Sequence, residues 1–208
     1  MINLGILVSG RGSNMESILQ NIKEGVIKNV DPRVVISNKA GVRALEIARQ
    51  YNVNAVFIDD EGKKGGANWD YDKKIVDCLQ ENSVTPENGL VCLAGFMRII
   101  SKEFVHKYRW RMMNIHPALL PSFMGLNAQK QALEYGVKIS GCTVHFVDEG
   151  VDTGPIIIQA CVEVKDDDTV DSLASRILEQ EHRIYPEAIR LFGEGKLSIE
   201  GRRVKILT

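Results

Sequence analysis

The chain has 208 residues, a formal net charge of −1, and hydrophobic and charged fractions of 44% and 25%. Such a chain fits one soluble α/β domain whose core needs no disulfide or metal staple. Near-neutral charge argues against a protein that coats nucleic acid, which needs a basic face to displace counterions, but leaves room for a small pocket holding one phosphate. The longest apolar runs, such as Gly89–Ala94 and Ile156–Ile158, are too short to span a bilayer.

Met1 leads almost directly into the strand-like Ile6-Leu7-Val8, with no basic n-region or apolar h-region. No export signal is expected, and the reading is cytoplasmic. The four cysteines, Cys78, Cys92, Cys142 and Cys161, then read as reduced; they lack C-x-x-C spacing and suit small packed hydrophobes. The four histidines are scattered without metal-ligand spacing, so no metal is predicted.

Apolar, β-branched segments predict strands at Leu4–Val8, Asp31–Ser37, Ala55–Ile58, Gly89–Leu93 and Met112–Ile115. Amphipathic helices are predicted between them at Ser13–Gly25, Gly41–Tyr51 and Trp69–Glu81. Gly62–Gly66 reads as a polar loop. This alternation is that of a Rossmann-like, doubly wound α/β fold with a mostly parallel sheet. After Pro117 the rhythm changes to a loop at Ala118–Gly125 and a short helix at Asn127–Glu134 closed by Gly136. Two strands, Lys138–Val147 and Pro155–Val164, flank the acidic turn Asp148–Gly154 and predict a C-terminal antiparallel extension. A last helix runs from near Asp168 to near Gly193, and Leu197–Ile206 forms a terminal hairpin over Gly201.

Gly10-Arg11-Gly12-Ser13-Asn14 joins the first strand to the first helix. Glycines let backbone approach a ligand, and the helix start offers free N–H groups with partial positive charge. Ser13 and Asn14 can cap that helix or donate to phosphate. The loop lacks the third glycine of a dinucleotide fingerprint and the Lys of a Walker loop, which favours a monophosphate; a purely geometric βα turn is the plain alternative.

Asn114 and His116 share one strand face, and Pro117 ends that strand at the sheet edge where open α/β folds bind ligands. An amide that stabilises an oxyanion, an imidazole that shuttles a proton and a carboxylate from Asp152 together suit acyl transfer. Alternatively, Asn-x-His anchors a loop and Asp152 is solvated. His145 either supports this group or is a buried structural histidine.

Glu181 falls on the apolar stripe Val170, Leu173, Ile177, Ile184, so it reads either as buried or as reaching solvent from the stripe's margin. If buried, it needs a partner such as a substrate amine or an internal Lys or Arg. Pro186 removes the hydrogen bond to the His182 carbonyl, predicting a kink and a free acceptor for a ligand amine.

Six segments occur in the order found in the glycinamide ribonucleotide formyltransferase family, which the chain resembles along nearly its whole length. They are Leu7–Asn14, Leu93–Ile99, Asn114–Pro121, Gly141–Asp148, Asp152–Ile156 and Glu181-His182. The resemblance implies two small-molecule substrates: 10-formyltetrahydrofolate as the co-substrate donor and glycinamide ribonucleotide as the acceptor. It places the phosphate on Gly12, Ser13 and Asn14, with Gly10 and Arg11 beside it and the amine near Glu181. The folate ring would lie against Met97, Arg98, Ile99, Ile100 and the turn from Val147 and Asp148 to Asp152, with Arg98 facing its acidic tail. Asn114, His116 and Asp152 become the catalytic set. The N-terminal half would serve the nucleotide and the C-terminal half the folate, within one domain over residues 1–208 as monomer or homodimer.

Two departures from the family pattern are Asn127, where a histidine is common, and Leu178, where a polar residue often lies near the phosphate. The rivals are a formyltetrahydrofolate hydrolase, expected to carry an extra N-terminal domain, and a methionyl-transfer-RNA formyltransferase, expected to carry a basic C-terminal one. A third is an inactive folate or nucleotide binder.

Overall fold

A computed structural model describes residues 1–62 and 66–207, so most of the loop expected at Gly62–Gly66 lies outside the described residues. The elements in chain order are β1 (Ile2–Val8), α1 (Ser13–Lys23), β2 (Val30–Ser37), α2 (Arg43–Gln50), β3 (Asn54–Phe57), α3 (Trp69–Glu81), β4 (Gly89–Leu93), α4 (Lys102–Lys107) and β5 (Met112–His116). They are followed by α5 (Ala128–Tyr135), β6 (Ile139–Phe146), β7 (Ile156–Glu163), α6 (Val170–Gly193), β8 (Leu197–Glu200) and β9 (Arg203–Ile206). The strands form one sheet in the order β3-β2-β1-β4-β5-β6-β7-β9-β8.

Pairing is parallel from β3 to β5 and turns antiparallel at β5–β6 and β6–β7. The terminal hairpin β8–β9 joins through a single parallel pair, Ile156 with Arg203. Strand order reverses between β1 and β4, which opens a crevice at their carboxyl ends. The expected doubly wound sheet with an antiparallel extension is present; α4 was not anticipated, because six residues carry too little periodicity to read.

Alternation along the strands divides the core between the two faces. Leu4, Ile6 and Val8 pack with Met15 and Ile18 of α1 and Leu173 and Ile177 of α6. Leu7 packs on the other face with Ile75 and Leu79 of α3. Gly5 makes that docking possible, since a Cβ there would lie 2.3 Å from Leu79 Cδ2.

Helix α6 starts at a reciprocal cap, in which the Thr169 side chain accepts from the Ser172 N–H and the Ser172 side chain accepts from the Thr169 N–H. It continues through Pro186 to Gly193. The His182 carbonyl, expected to be open to a ligand, instead accepts from the Ser17 hydroxyl at 3.1 Å. This ties α6 to α1 just below the crevice.

Tyr185 is fully buried, and its hydroxyl lies 3.1 Å from the Leu93 carbonyl and 3.0 Å from the Met113 carbonyl. One phenol hydrogen therefore holds β4 and β5 together near the strand ends that carry the site. Tyr185→Phe is expected to cost about 1–2 kcal/mol in urea unfolding. An unchanged midpoint would show that the two carbonyls need no such bridge.

Candidate active site

Asn114 and His116 lie at the carboxyl end of β5, and Asp152 reaches them from the turn between β6 and β7. His116 Nδ1 is 3.2 Å from Asp152 Oδ2, with both side chains largely buried. The Asn114 amide donates to Asp152 Oδ1 at 3.3 Å and meets His145 Nε2 at 3.2 Å. His145 Nδ1 contacts the Phe146 carbonyl at 2.8 Å, and a carbonyl only accepts. Nδ1 therefore carries the proton, leaving Nε2 to receive the Asn114 amide. The same elimination applies to His116, whose Nε2 donates to the Phe123 carbonyl at 2.8 Å.

Burial raises the Asp152 carboxyl, but the nearby His145 imidazole, the Gly125 N–H and the His116 imidazole together outweigh it and bring the carboxyl below its usual range. Burial also lowers the His116 imidazole, against the pull of Asp152. With the carboxyl ionised and Nε2–H already given to Phe123, the His116–Asp152 contact is most favourable with a proton on Nδ1. The backbone of Asp152 is left-handed, at φ 55°, which an aspartate tolerates better than a bulky residue.

The loop after β5 contributes contacts that the sequence did not signal. Phe123 has φ 54°, an uncommon value for a bulky side chain, and its carbonyl faces His116. Two residues on, the Gly125 N–H donates to Asp152 Oδ2 at 2.8 Å. Asn127 has φ 59° at the start of α5 and makes no side-chain cap there. Asparagine is among the residues most at home in that left-handed conformation. Thr143, wholly buried, anchors the loop: its hydroxyl donates to the Ala118 carbonyl at 2.7 Å and accepts from the Leu120 N–H at 3.1 Å.

Gly12 starts α1 with φ 81° and no side chain caps the helix, so its first N–H groups face the crevice. A Cβ at Gly12 would lie 2.7 Å from Ala44 Cβ, so only glycine lets α2 pack this close. Gly10 is half-buried, Arg11 is exposed and Ser13 is half-buried beside it. Asn14 is not a cap: its amide donates to Glu181 Oε2 at 2.7 Å. Glu181 is buried as the stripe implied, but its partner within the protein is this amide rather than a lysine or arginine. Burial pushes its carboxyl up, against the lowering effect of Asn14. Asn14 Oδ1 is itself buried without a hydrogen-bond partner, leaving an acceptor beside Glu181 for an incoming donor. Leu178 is half-buried on the same helix.

Met97 and Ile99 are exposed beyond β4, Ile100 is half-buried, and Val147 and Asp148 lie half-buried at the start of the turn that carries Asp152. Asp148 Oδ1 accepts from the Thr153 hydroxyl at 2.6 Å and the Gly150 N–H at 3.2 Å, which shapes that turn. Arg98, expected to be available for an acidic folate tail, is engaged within the protein. Its guanidinium is buried, 2.9 Å from Asp60 Oδ2, and lies 4.5 Å from the centre of the Tyr71 ring. Asn38 and Asp60, which complete that contact with Ser9 of the glycine-loop segment, carried no recognisable motif in the sequence.

The formyl transferase family model matches residues 2–189. The chain belongs to the formyl transferase family. Among relatives it is 43% identical to a trifunctional purine biosynthetic protein adenosine-3 of Gallus gallus, over 95% of this chain and 19% of that one. It thus spans about a fifth or less of the length of the first such relatives. It is 40% identical to a phosphoribosylglycinamide formyltransferase of Escherichia coli, covering 95% of this chain and 90% of that one. A crystal structure of glycinamide ribonucleotide transformylase 1 from Symbiobacterium toebii superposes with a TM-score of 0.94 at 50% identity, covering 100% of this chain and 95% of that one. Family membership accounts for the shared sheet.

Glu181 supplies a test with a definite sign. Its carboxyl is raised above the usual 4.5, so the stability of its protonated form is present below that value and lost as pH rises through the raised one. Glu181→Gln escapes this loss and can pair its amide with Asn14. The melting-temperature difference, variant minus wild type, is expected to grow from acid to neutral pH. A difference that is flat or shrinks with pH would show that Glu181 is not held as a costly buried acid.

Proposed function

We propose that the protein transfers a formyl group from 10-formyltetrahydrofolate to the amine of glycinamide ribonucleotide, a step of purine biosynthesis, in the cytoplasm. The observation that carries this reading is the meeting of Asn114, His116 and Asp152, from β5 and from the distant β6–β7 turn, around one crevice. The phosphoribosylglycinamide formyltransferase of Escherichia coli and the glycinamide ribonucleotide transformylase of Symbiobacterium toebii support the choice of acceptor.

In this reading the acceptor phosphate rests on the N–H groups of Gly12, Ser13 and Asn14, with Gly10 and Arg11 alongside. Its amine lies toward Glu181 and the open Asn14 oxygen. The folate ring stacks between the exposed Met97–Ile100 segment and the Val147–Asp152 turn. Because the Arg98 guanidinium is held by Asp60, the contacts assigned to position 98 are those of its backbone.

The neutral amine attacks the formyl carbon, forming the new C–N bond and an oxyanion. His116 Nε2–H turns from the Phe123 carbonyl to that oxygen, and the Asn114 amide gives up its long contact to Asp152 to do the same. Asp152 stays ionised to support protonated His116, and the proton released by the amine passes through water to N10 of the folate. Collapse of the intermediate breaks the bond to N10 of the folate, which receives one proton. The products are N-formylated acceptor and tetrahydrofolate, with no net change in protons.

The test is an assay of folate product with and without glycinamide ribonucleotide. Amine-dependent turnover supports transfer; amine-independent turnover identifies a hydrolase; no turnover identifies a binder. His116→Ala and Asp152→Asn are each expected to lower kcat/KM by about 10²–10⁴-fold with unchanged circular dichroism. A near-normal rate in either removes that side chain from the chemistry.

A further inference from the structure

Four polar residues, Ser9 and Asn38 buried and Asp60 and Arg98 partly so, close a ring at the carboxyl ends of the parallel strands. Ser9 follows β1, Asn38 follows β2, Asp60 lies beyond β3, and Met97 with Arg98 lies beyond β4. The Ser9 hydroxyl accepts from the Met97 N–H at 2.8 Å and donates to Asn38 Oδ1 at 2.6 Å. The Asn38 amide donates to Asp60 Oδ2 at 2.9 Å, and that oxygen also accepts from the Arg98 guanidinium at 2.9 Å. The peptide bond from Arg98 back to Met97 completes the circuit. Each hydrogen in it is assigned without choice: the only hydroxyl hydrogen points to Asn38, so the amide must present its nitrogen to the carboxylate.

Ser9 and Asn38 are 5% and 6% exposed and the Arg98 side chain 6%, while Asp60, at 18%, is the ring's most open member, so most of the ring is shielded from water. Such a network adds little net stability over apolar packing of the same volume, since burying the charges offsets their attraction. What it supplies is position. One side of the ring is the residue before the glycine loop, and the other is the start of the Met97–Ile100 segment. The ring bridges the β1–β4 crevice, where the strand order reverses.

We propose that Asn38 and Asp60 are positioning residues that set the separation between the phosphate subsite at Gly10–Asn14 and the folate subsite at Met97–Ile100. The inference rests on the transfer reading above. Neither side chain is assigned to either substrate; both act through Ser9 and Arg98. Their effect falls on the alignment of the amine with the formyl carbon, where a misplacement of about 1 Å costs on the order of a hundredfold in rate.

Alignment and binding separate experimentally. Asn38→Ala and Asp60→Ala are each expected to bind glycinamide ribonucleotide alone, and 10-formyltetrahydrofolate alone, within about threefold of wild type by calorimetry. Each is expected to lower kcat at saturation by about tenfold or more. Because both break one ring, the double variant is expected to lose little more than either single one. Asp60→Asn keeps the volume, so it carries the test if the alanine variants do not fold, with the same split at smaller size.

Unchanged kcat in a folded variant overturns the proposal, as does a loss confined to folate affinity, which would make Arg98 a direct ligand contact. Additive losses in the double variant overturn it too. Absence of transfer by the wild-type protein brings down the function reading and this inference together. Wild-type transfer with unaffected variants brings down only this one.

Discussion

The Asp152 carboxylate, from the β6–β7 turn, receives the Asn114 amide and the facing ring nitrogen of His116 from β5 and the Gly125 N–H from the loop after it. Gathering them around one buried acid requires each to be held in place by something else. The β5 strand fixes Asn114 and His116 on one face, Tyr185 fixes β5 against β4, and Thr143 anchors the loop that brings Gly125 back. Removing the acid would leave these donors aimed at a vacant centre, which is the less favourable arrangement for a buried polar group.

The same economy governs the phosphate side. Helix α1 begins with no side-chain cap, and its second residue spends its amide on Glu181. Both choices forgo local helix stability and leave donors and acceptors pointing into the crevice. Ser17 meanwhile satisfies the carbonyl that Pro186 would otherwise strand, so α6 stays docked where Glu181 must sit. On this side the Asn14 oxygen keeps capacity for a donor where the acceptor amine is proposed.

Some of the site is readable as chemistry on a line. Asn-x-His before proline puts two side chains on one strand face, and the period of α6 puts Glu181 on its buried side. The side-chain partner of Arg98 was not legible because nothing local marks Asp60: the pairing spans 38 positions and depends on the segments beyond β3 and β4 converging across the ends of β2 and β1. The carbonyl of Phe123 was invisible for a related reason. A backbone oxygen has no identity in sequence, and its aim depends on a left-handed dihedral at a residue type that rarely adopts one.

Sequence by itself determined the alternation of strands and helices, the two-faced core, the glycine loop and the candidates at Asn114, His116, Asp152 and Glu181. Those features depend on periodicity and on residue types within a few positions of one another, which the linear chain carries directly. Tertiary structure alone decided which donors meet Asp152, which amide supports Glu181, and that Ser9, Asn38, Asp60 and Arg98 form one ring. Such contacts join the ends of separate strands, and only sheet order and helix packing bring those ends within hydrogen-bonding distance.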